Sequence, residues 1–294
     1  GINIRNQIYQ ETEPGDVAAP GFSESLLWLD NKKHSLGEED ANATVLHFWS
    51  ATCVTCLDAY GRVAQWHDSY SQYGAEFYGI YAPQFDFEFT NPEIIEDALD
   101  KHAMSRFPVA IDNDFELNNA FYEATDSFNS HGSVIVMIDK NKKIRHVIPD
   151  ATNLVNGELV LQALLYEAGV ETSFKVPTGT QRSGSSIATN LFFHKEDTQT
   201  KQTFSANENL EDGKQTYTMS ERVAPGRWSL GGTWNRKEDH LEAVSNGSLA
   251  LQITGKRVYI VALSSPTGFV GVSVNGQVGK YRAKEVAKDG ILEV

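Results

Sequence analysis

Cysteine is scarce in this sequence, basic runs are missing, and so are long apolar stretches. Two cysteines in 294 residues are too few for a disulfide framework. No second pair exists to complete a zinc site of four sulfurs. The pair is therefore either chemical or of no special role. No stretch approaches the roughly 18 apolar residues that span a bilayer. The start, Gly1-Ile-Asn-Ile-Arg, lacks the charged and apolar regions of a signal peptide. A mature or trimmed segment, with its address and anchor upstream, is the expectation. Lysine and arginine number 25 against 39 acidic residues, a formal charge of -14, and no basic cluster breaks that background. This balance argues against nucleic acid and anionic membrane surfaces as partners.

What is present suffices for real cores, since 40% of the chain is hydrophobic and 11% aromatic. The length suggests two domains. The most informative stretch is Thr44 to Tyr70. An apolar run, Val45 to Trp49, meets a small polar turn, Ser50 to Thr52, and then Cys53-Val54-Thr55-Cys56. Leu57, Tyr60, Val63, Ala64 and Tyr70 follow at helical spacing, with Gly74 as the stop. A C-x-x-C at the join of strand and helix is the pattern of a thioredoxin-like redox site.

Downstream, Phe77 to Tyr81 predicts a strand parallel to the first. Asn91-Pro92-Glu93 predicts a helix start carrying Ile94, Ile95, Ala98 and Leu99. Phe107 to Ile111 reads as a strand and Leu117 to Tyr122 as helix. Val134 to Ile138 and Ile144 to Ile148 read as a hairpin, and Leu159 to Ala168 as a helix closed by Gly169. Residues 173 to 190, rich in Ser, Thr and Gly, read as a linker. Beyond it only short strands with turn signals occur: Thr216 to Met219, Trp228 to Trp234 across Gly231-Gly232, Leu241 to Val244, Leu249 to Ile253, Val258 to Leu263, and Phe269 to Val274 before Asn275-Gly276. The expected architecture is an α/β domain over residues 1–172, with a parallel or mixed central sheet and flanking helices. An all-β, jelly-roll-like sandwich over 191–294 completes it.

A thiol reacts as its thiolate, and the free N–H groups and dipole of a helix N-terminus favour that charge. Cys53 is accordingly the expected nucleophile, and Cys56, one turn inward, the resolving thiol. Two other readings stand beside this one. The sulfurs could be small core residues, or they could hold copper or zinc with His131 as third ligand. His47, inside the strand, reads as a core or sheet-edge histidine, and Asp58 as a helix-surface acid, with tuning of the resolving thiol as the alternative. Asp86 and Glu88, in the loop from Tyr81 to Phe89, read as solvated loop acids, with facing the site as the alternative, and Trp49 as packing that covers the site. Trp228, Trp234, Tyr259 and Phe269 could stack sugars, but alternating sandwich aromatics more often form core.

These segments resemble a known group, the thioredoxin-like domains of TlpA/ResA type in the C-terminal region of DipZ-type cytochrome c biogenesis proteins. The resemblance rests on LLWLDNKKHSLGEED, VLHFWSATCVTC, YGIYAPQFDFE, RFPVAIDNDFELNNAF, VIVMIDKNKKIRHV and ELVLQALLYEAG, and further on through RWSLGGTW, SLALQIT and RVYIVAL. It implies an extracytoplasmic thiol-disulfide oxidoreductase, anchored through a segment upstream, that uses no cofactor. Such a protein takes electrons from a CcdA-type membrane partner and acts on protein thiols and disulfides. The trailing sandwich resembles carbohydrate-binding modules, which makes a glycan a further partner and a glycan scaffold with a degenerate redox site an alternative. Trp49, Thr52, Gln84, His131, Gly132 and Ser133 are the implied site-lining residues. The sequence departs from the family at Ser133, where a cis-proline is expected, at Gln84, where a glutamate is usual, and at Thr52, where thioredoxins proper carry tryptophan. A cis bond outside proline costs about 2.5–4 kcal/mol, so a trans Gly132–Ser133 peptide or a rearranged loop is expected. Gln84 cannot move a proton at neutral pH, so another group must do so.

Overall fold

The computed structural model describes residues 17–37, 41–90, 93–101, 106–125, 133–149, 153–177, 193, 204, 209–238, 240–253, 258–262, 269–274, 277–282 and 291–293. The chain divides into two compact units, residues 1–183 with 259–294, and residues 184–258.

The first unit is built on a six-stranded mixed sheet in the order β1-β4-β3-β2-β5-β6. Its strands are β1 (Leu27–Trp28), β2 (Ala43–Trp49), β3 (Ala75–Tyr81), β4 (Val109–Ile111), β5 (Val134–Asp139) and β6 (Ile144–Pro149). The three central strands β4, β3 and β2 run parallel, while β1, β5 and β6 are antiparallel to their neighbours. Every residue of β2 is buried, because both faces of the sheet are covered. The pleat sends Val45 and Trp49 to one core and Leu46 and Phe48 to the other. The first core is shared with helices α1 (Val54–Tyr70), α3 (Glu93–Lys101) and α5 (Leu154–Glu167). The second holds Leu117 and Phe121 of α4 (Glu116–Thr125) together with Leu26, Trp28 and Leu36 of the lead-in.

The α1 helix ends in a 3-10 turn, Ser71–Tyr73, and Gly74 follows in the left-handed region at φ 82°. Asn42 closes this corner, its side-chain amide donating to the Tyr73 carbonyl at 2.8 Å. The segment Tyr81 to Phe89, expected as loop, contains a five-residue helix, α2 (Asp86–Thr90). Asn91 and Pro92, the expected start of α3, lie outside the described residues.

Gly157 marks a close helix–sheet contact. A Cβ there would strike Ile148 and come within 3.1 Å of Trp66 and 3.2 Å of Met137. Overpacking costs about 1–3 kcal/mol, against about 1 kcal/mol gained from helix propensity. Gly157→Ala is therefore expected to lower the melting temperature, read by circular dichroism, although alanine is the better helix former.

The second unit holds a three-stranded antiparallel sheet, β7 (Gly213–Tyr217), β8 (Arg227–Arg236) and β9 (Leu241–Gln252), an all-β domain separate from the α/β domain. The two strands expected at Leu241 and Leu249 are one. Asn246 bulges at φ 49° opposite Gly232, where any Cβ would strike the Asn246 carbonyl. Glycine at this position thus lets β9 run on through the register shift of β8. Trp228 is fully buried against Phe193 and Phe204, and the Trp234 indole N–H donates to the Gly231 carbonyl, so Trp228 is core. Two further pairs follow, β10 (Tyr259–Val261) with β13 (Ile291–Glu293) and β11 (Phe269–Val274) with β12 (Gln277–Arg282). In the second pair Val274 is the register partner of Gln277, and Asn275-Gly276, the expected two-residue turn, lies outside the described residues.

Candidate active site

The apolar run of β2 ends at Trp49, and the chain turns through Ser50, Ala51 and Thr52 before α1 begins. Cys53 is the N-cap of α1 and is joined to Cys56 by a disulfide. The Cys53 Sγ accepts the Cys56 backbone N–H at 3.1 Å and lies 3.3 Å from the Thr55 hydroxyl. This is the capping geometry in which a side chain takes up a free N–H of the first turn. Cys53 is 7% exposed and Cys56 is fully buried.

Beneath this turn lies a carboxyl group. Glu88 is 2% exposed on α2 and accepts the Thr52 hydroxyl on Oε1. Its Oε2 accepts the Tyr81 phenol at 3.1 Å and the Gln84 backbone N–H at 2.8 Å. Burial pushes the Glu88 carboxyl above the usual carboxylate range, and these hydrogen bonds oppose that rise without cancelling it. Burial, followed by the negative charge of Glu88, pushes the Tyr81 phenol up. The reading of Glu88 as a solvated loop acid is thus overturned. Three donors converge on it, from Thr52, Tyr81 and Gln84.

A second buried polar pair lies on the same sheet. His47 is fully buried, its Nε2 2.8 Å from the Ser133 hydroxyl. Ser133 precedes Ile135, the β5 partner of His47, by two residues, so both side chains fall on the face that carries Val45 and Trp49. Among the described residues the His47 Nδ1 has no hydrogen-bond partner, and the ring contacts Tyr60 at 5.5 Å. Burial pushes the His47 imidazole down to about 3, so it is neutral at physiological pH.

The expected site residues divide as follows. Thr52, Cys53 and Cys56 share the turn, and Gln84 joins it through its backbone N–H. Trp49 is buried edge-on between Tyr60 and Tyr81 and acts as packing beneath the turn. Ser133 is buried and faces His47. His131 and Gly132 lie outside the described residues, and so does the Gly132–Ser133 peptide. Asp58 is an exposed acid on α1. Among the described residues no group of three or more His, Cys, Asp or Glu could hold a metal ion. No helix among them is long and apolar enough to cross a membrane.

Comparison with known proteins agrees with this geometry. Residues 197–294 match the family described as thioredoxin like C-terminal domain. Protein DipZ of Mycobacterium bovis is 23% identical over 255 residues, which covers 83% of this chain and 34% of DipZ. The chain thus spans about a third of the length of that relative. The thiol-disulfide oxidoreductase YkuV of Bacillus subtilis is 25% identical over 130 residues, 43% of this chain and 80% of YkuV. Among solved structures, a thioredoxin-family thiol:disulfide interchange protein of Chlorobium tepidum TLS covers 50% of this chain and 96% of its own, at 21% identity and a TM-score of 0.42. The similarity to DipZ and YkuV supports a redox role. The chain carries a thioredoxin-like α/β domain with a C-x-x-C disulfide, is similar to DipZ and YkuV, and continues into a region matching the thioredoxin like C-terminal domain family.

Proposed function

We propose that this chain is a thiol-disulfide oxidoreductase acting outside the cytoplasm, in cytochrome c biogenesis or in reduction of envelope thiols. One observation carries the reading: a disulfide at the N-cap of α1, with the outer sulfur accepting a first-turn N–H. A partner thiolate attacks the Cys53 Sγ, forms a mixed disulfide and releases Cys56. A second partner thiolate then displaces Cys53, leaving the dithiol here and a disulfide on the partner. The reverse sequence reduces a protein disulfide. A CcdA-type membrane protein is the proposed electron partner and protein thiols or disulfides the substrates. Residues 1–172 are taken as the redox domain, 173–190 as linker and 191–294 as the C-terminal β domain, supported by the family match that begins at residue 197.

The direct test is reduction of the full chain followed by addition of insulin. Two thiols per chain should be consumed as insulin disulfides are reduced, and the pair should equilibrate with a glutathione buffer. Thiols that neither reduce insulin nor equilibrate with glutathione would sink the proposal.

A further inference from the structure

The redox turn lies at one end of the central sheet, and an open cavity lies at the other. Trp49, the last residue of β2 before the turn, is the register partner of Tyr81, whereas the cavity is walled by Ala75 to Tyr78 at the start of β3. Its volume is about 260 Å3, and further walls come from His34 of the lead-in, His67 of α1 and Arg106 to Pro108 before β4. We propose that this cavity is a docking site for an extended peptide segment carrying a lysine side chain, an interaction separate from the thiol-disulfide chemistry.

An incomplete ladder of backbone hydrogen bonds carries the first half. The Tyr81 carbonyl accepts the Asp112 N–H at 2.9 Å, and the Gly79 N–H donates to the Pro108 carbonyl at 2.9 Å. Residues two apart in a strand turn their backbone groups to the same edge, so the N–H and C=O of Phe77 face the side on which β4 lies. β4 pairs with β3 only from Gly79 to Tyr81, and among the described residues no strand continues the ladder to Phe77. The edge of β3 therefore opens into the cavity where it has no neighbouring strand. Main-chain pairing to such an edge supplies affinity, and a side-chain pocket beside it supplies specificity. The cavity is smaller than the roughly 300–1,000 Å3 of drug-sized sites. It takes one side chain with its flanking backbone rather than a long strand.

The chemistry of the lining selects that side chain. The His34 Nε2 is 2.9 Å from the Asp30 carboxylate, and the His67 Nδ1 is 3.3 Å from the Asp68 carboxylate. An ionised carboxylate only accepts, so in the neutral imidazole the nitrogen facing it carries the proton. The other nitrogen, Nδ1 in His34 and Nε2 in His67, is then a hydrogen-bond acceptor. Both rings are held by aromatic neighbours, His34 at 4.6 Å from Trp28 and 5.7 Å from Tyr78, and His67 at 5.5 Å from Phe77. Glu76 adds a carboxylate to the lining, and Arg106 is paired with Asp68. Asp30, Asp68 and Glu76 thus stand against one guanidinium, in a chain of formal charge -14. Among the described residues no three His, Cys, Asp or Glu side chains converge closely enough to hold a metal ion. Acceptors spread in this way suit a flexible organic cation. A lysine ammonium, with three donors and no acceptor on a flexible stem, is the side chain that matches them.

The test is fluorescence anisotropy of the full chain, at mildly alkaline pH, with a labelled peptide in which one lysine is flanked by valine and threonine. The lysine peptide should bind. Acetylation of the lysine should weaken binding at least about tenfold, the effect of losing a charge-assisted hydrogen bond. Methylation of the backbone nitrogens beside the lysine should weaken it as well, since it blocks pairing to Phe77. Glu76→Gln, which keeps the size of the side chain and removes its charge, should weaken it by about tenfold. Equal affinity for the lysine and acetyl-lysine peptides would overturn the proposal. Equal affinity of wild type and Glu76→Gln would also overturn it, by reducing the attraction to the general acidity of the chain. Binding indifferent to backbone methylation would do the same and leave only a site for a free amine, and absence of binding to wild type would overturn it outright. None of these arms uses the disulfide, so they decide the matter whether or not the redox reading stands.

Discussion

Cys53→Ser is expected to abolish reduction of insulin disulfides, while Cys56→Ser accumulates a mixed disulfide with its substrate. The two sulfurs have the same chemistry, so the asymmetry must come from position. Cys53 retains 7% exposure at the N-cap, whereas Cys56 has none, one turn into α1. An attacking thiolate or an incoming disulfide therefore meets Cys53 first. The Cys56 N–H, 3.1 Å from the Cys53 sulfur, is placed to stabilise a thiolate there once the bond is broken, as N-terminal N–H groups do. Cys56 is left to displace the partner from the mixed disulfide. Removing it stops the reaction at that stage, and non-reducing electrophoresis with mass spectrometry would show one partner joined through Cys53. Trapping by both variants alike, or turnover by Cys53→Ser, would contradict this assignment.

The strand, turn and helix that hold this pair are legible in the sequence because each is local. Val45 to Trp49 is a buried run, and Leu57, Tyr60, Val63 and Tyr70 repeat at the helical period. Glu88 is not legible for the opposite reason. Phe85-Asp86-Phe87-Glu88-Phe89 alternates apolar and acidic residues, a period of two that suggests strand or loop, yet residues 86–90 form a single helical turn. A helix that short shows no amphipathic period. The partners of Glu88 come from Thr52, 36 residues away, and from Tyr81, so nothing in its own neighbourhood signals burial. The long β9 strand is hidden in a similar way, since Leu241 to Val244 and Leu249 to Ile253 read as two strands until Gly232 across the sheet makes room for a bulge at Asn246. The departure at Ser133 could be noticed from the sequence, but its meaning could not. The hydroxyl that stands where a proline is expected is taken up by His47, 86 residues away.

That pair supports the second large effect, a loss of stability in mild acid that depends on His47. A histidine in an unfolded chain titrates near 6.5, whereas burial holds His47 at about 3 in the folded state. Between those values the unfolded chain binds a proton that the folded chain refuses, so stability rises with pH there. The contribution is complete above 6.5 and is lost as pH falls toward 3. From pH 7 to pH 5 the loss is about 2 kcal/mol, at 1.36 kcal/mol per pH unit below 6.5. His146, whose imidazole burial also pushes down, adds in the same direction, while Glu88, whose carboxyl is pushed up, opposes it. The two histidines and the glutamate are separated by comparing variants. Urea unfolding at pH 7 and pH 5 should show His47→Leu losing about 2 kcal/mol less than wild type over that interval. At pH 7, Ser133→Ala should cost about 1–3 kcal/mol, because it leaves a buried imidazole nitrogen without a partner. His47→Leu combined with Ser133→Ala should cost less than the two single losses added together, since neither variant then strands a polar group. An acid dependence in His47→Leu equal to that of wild type would show that the imidazole is not held neutral by burial. In that case the hydroxyl at Ser133 would have to be explained without it.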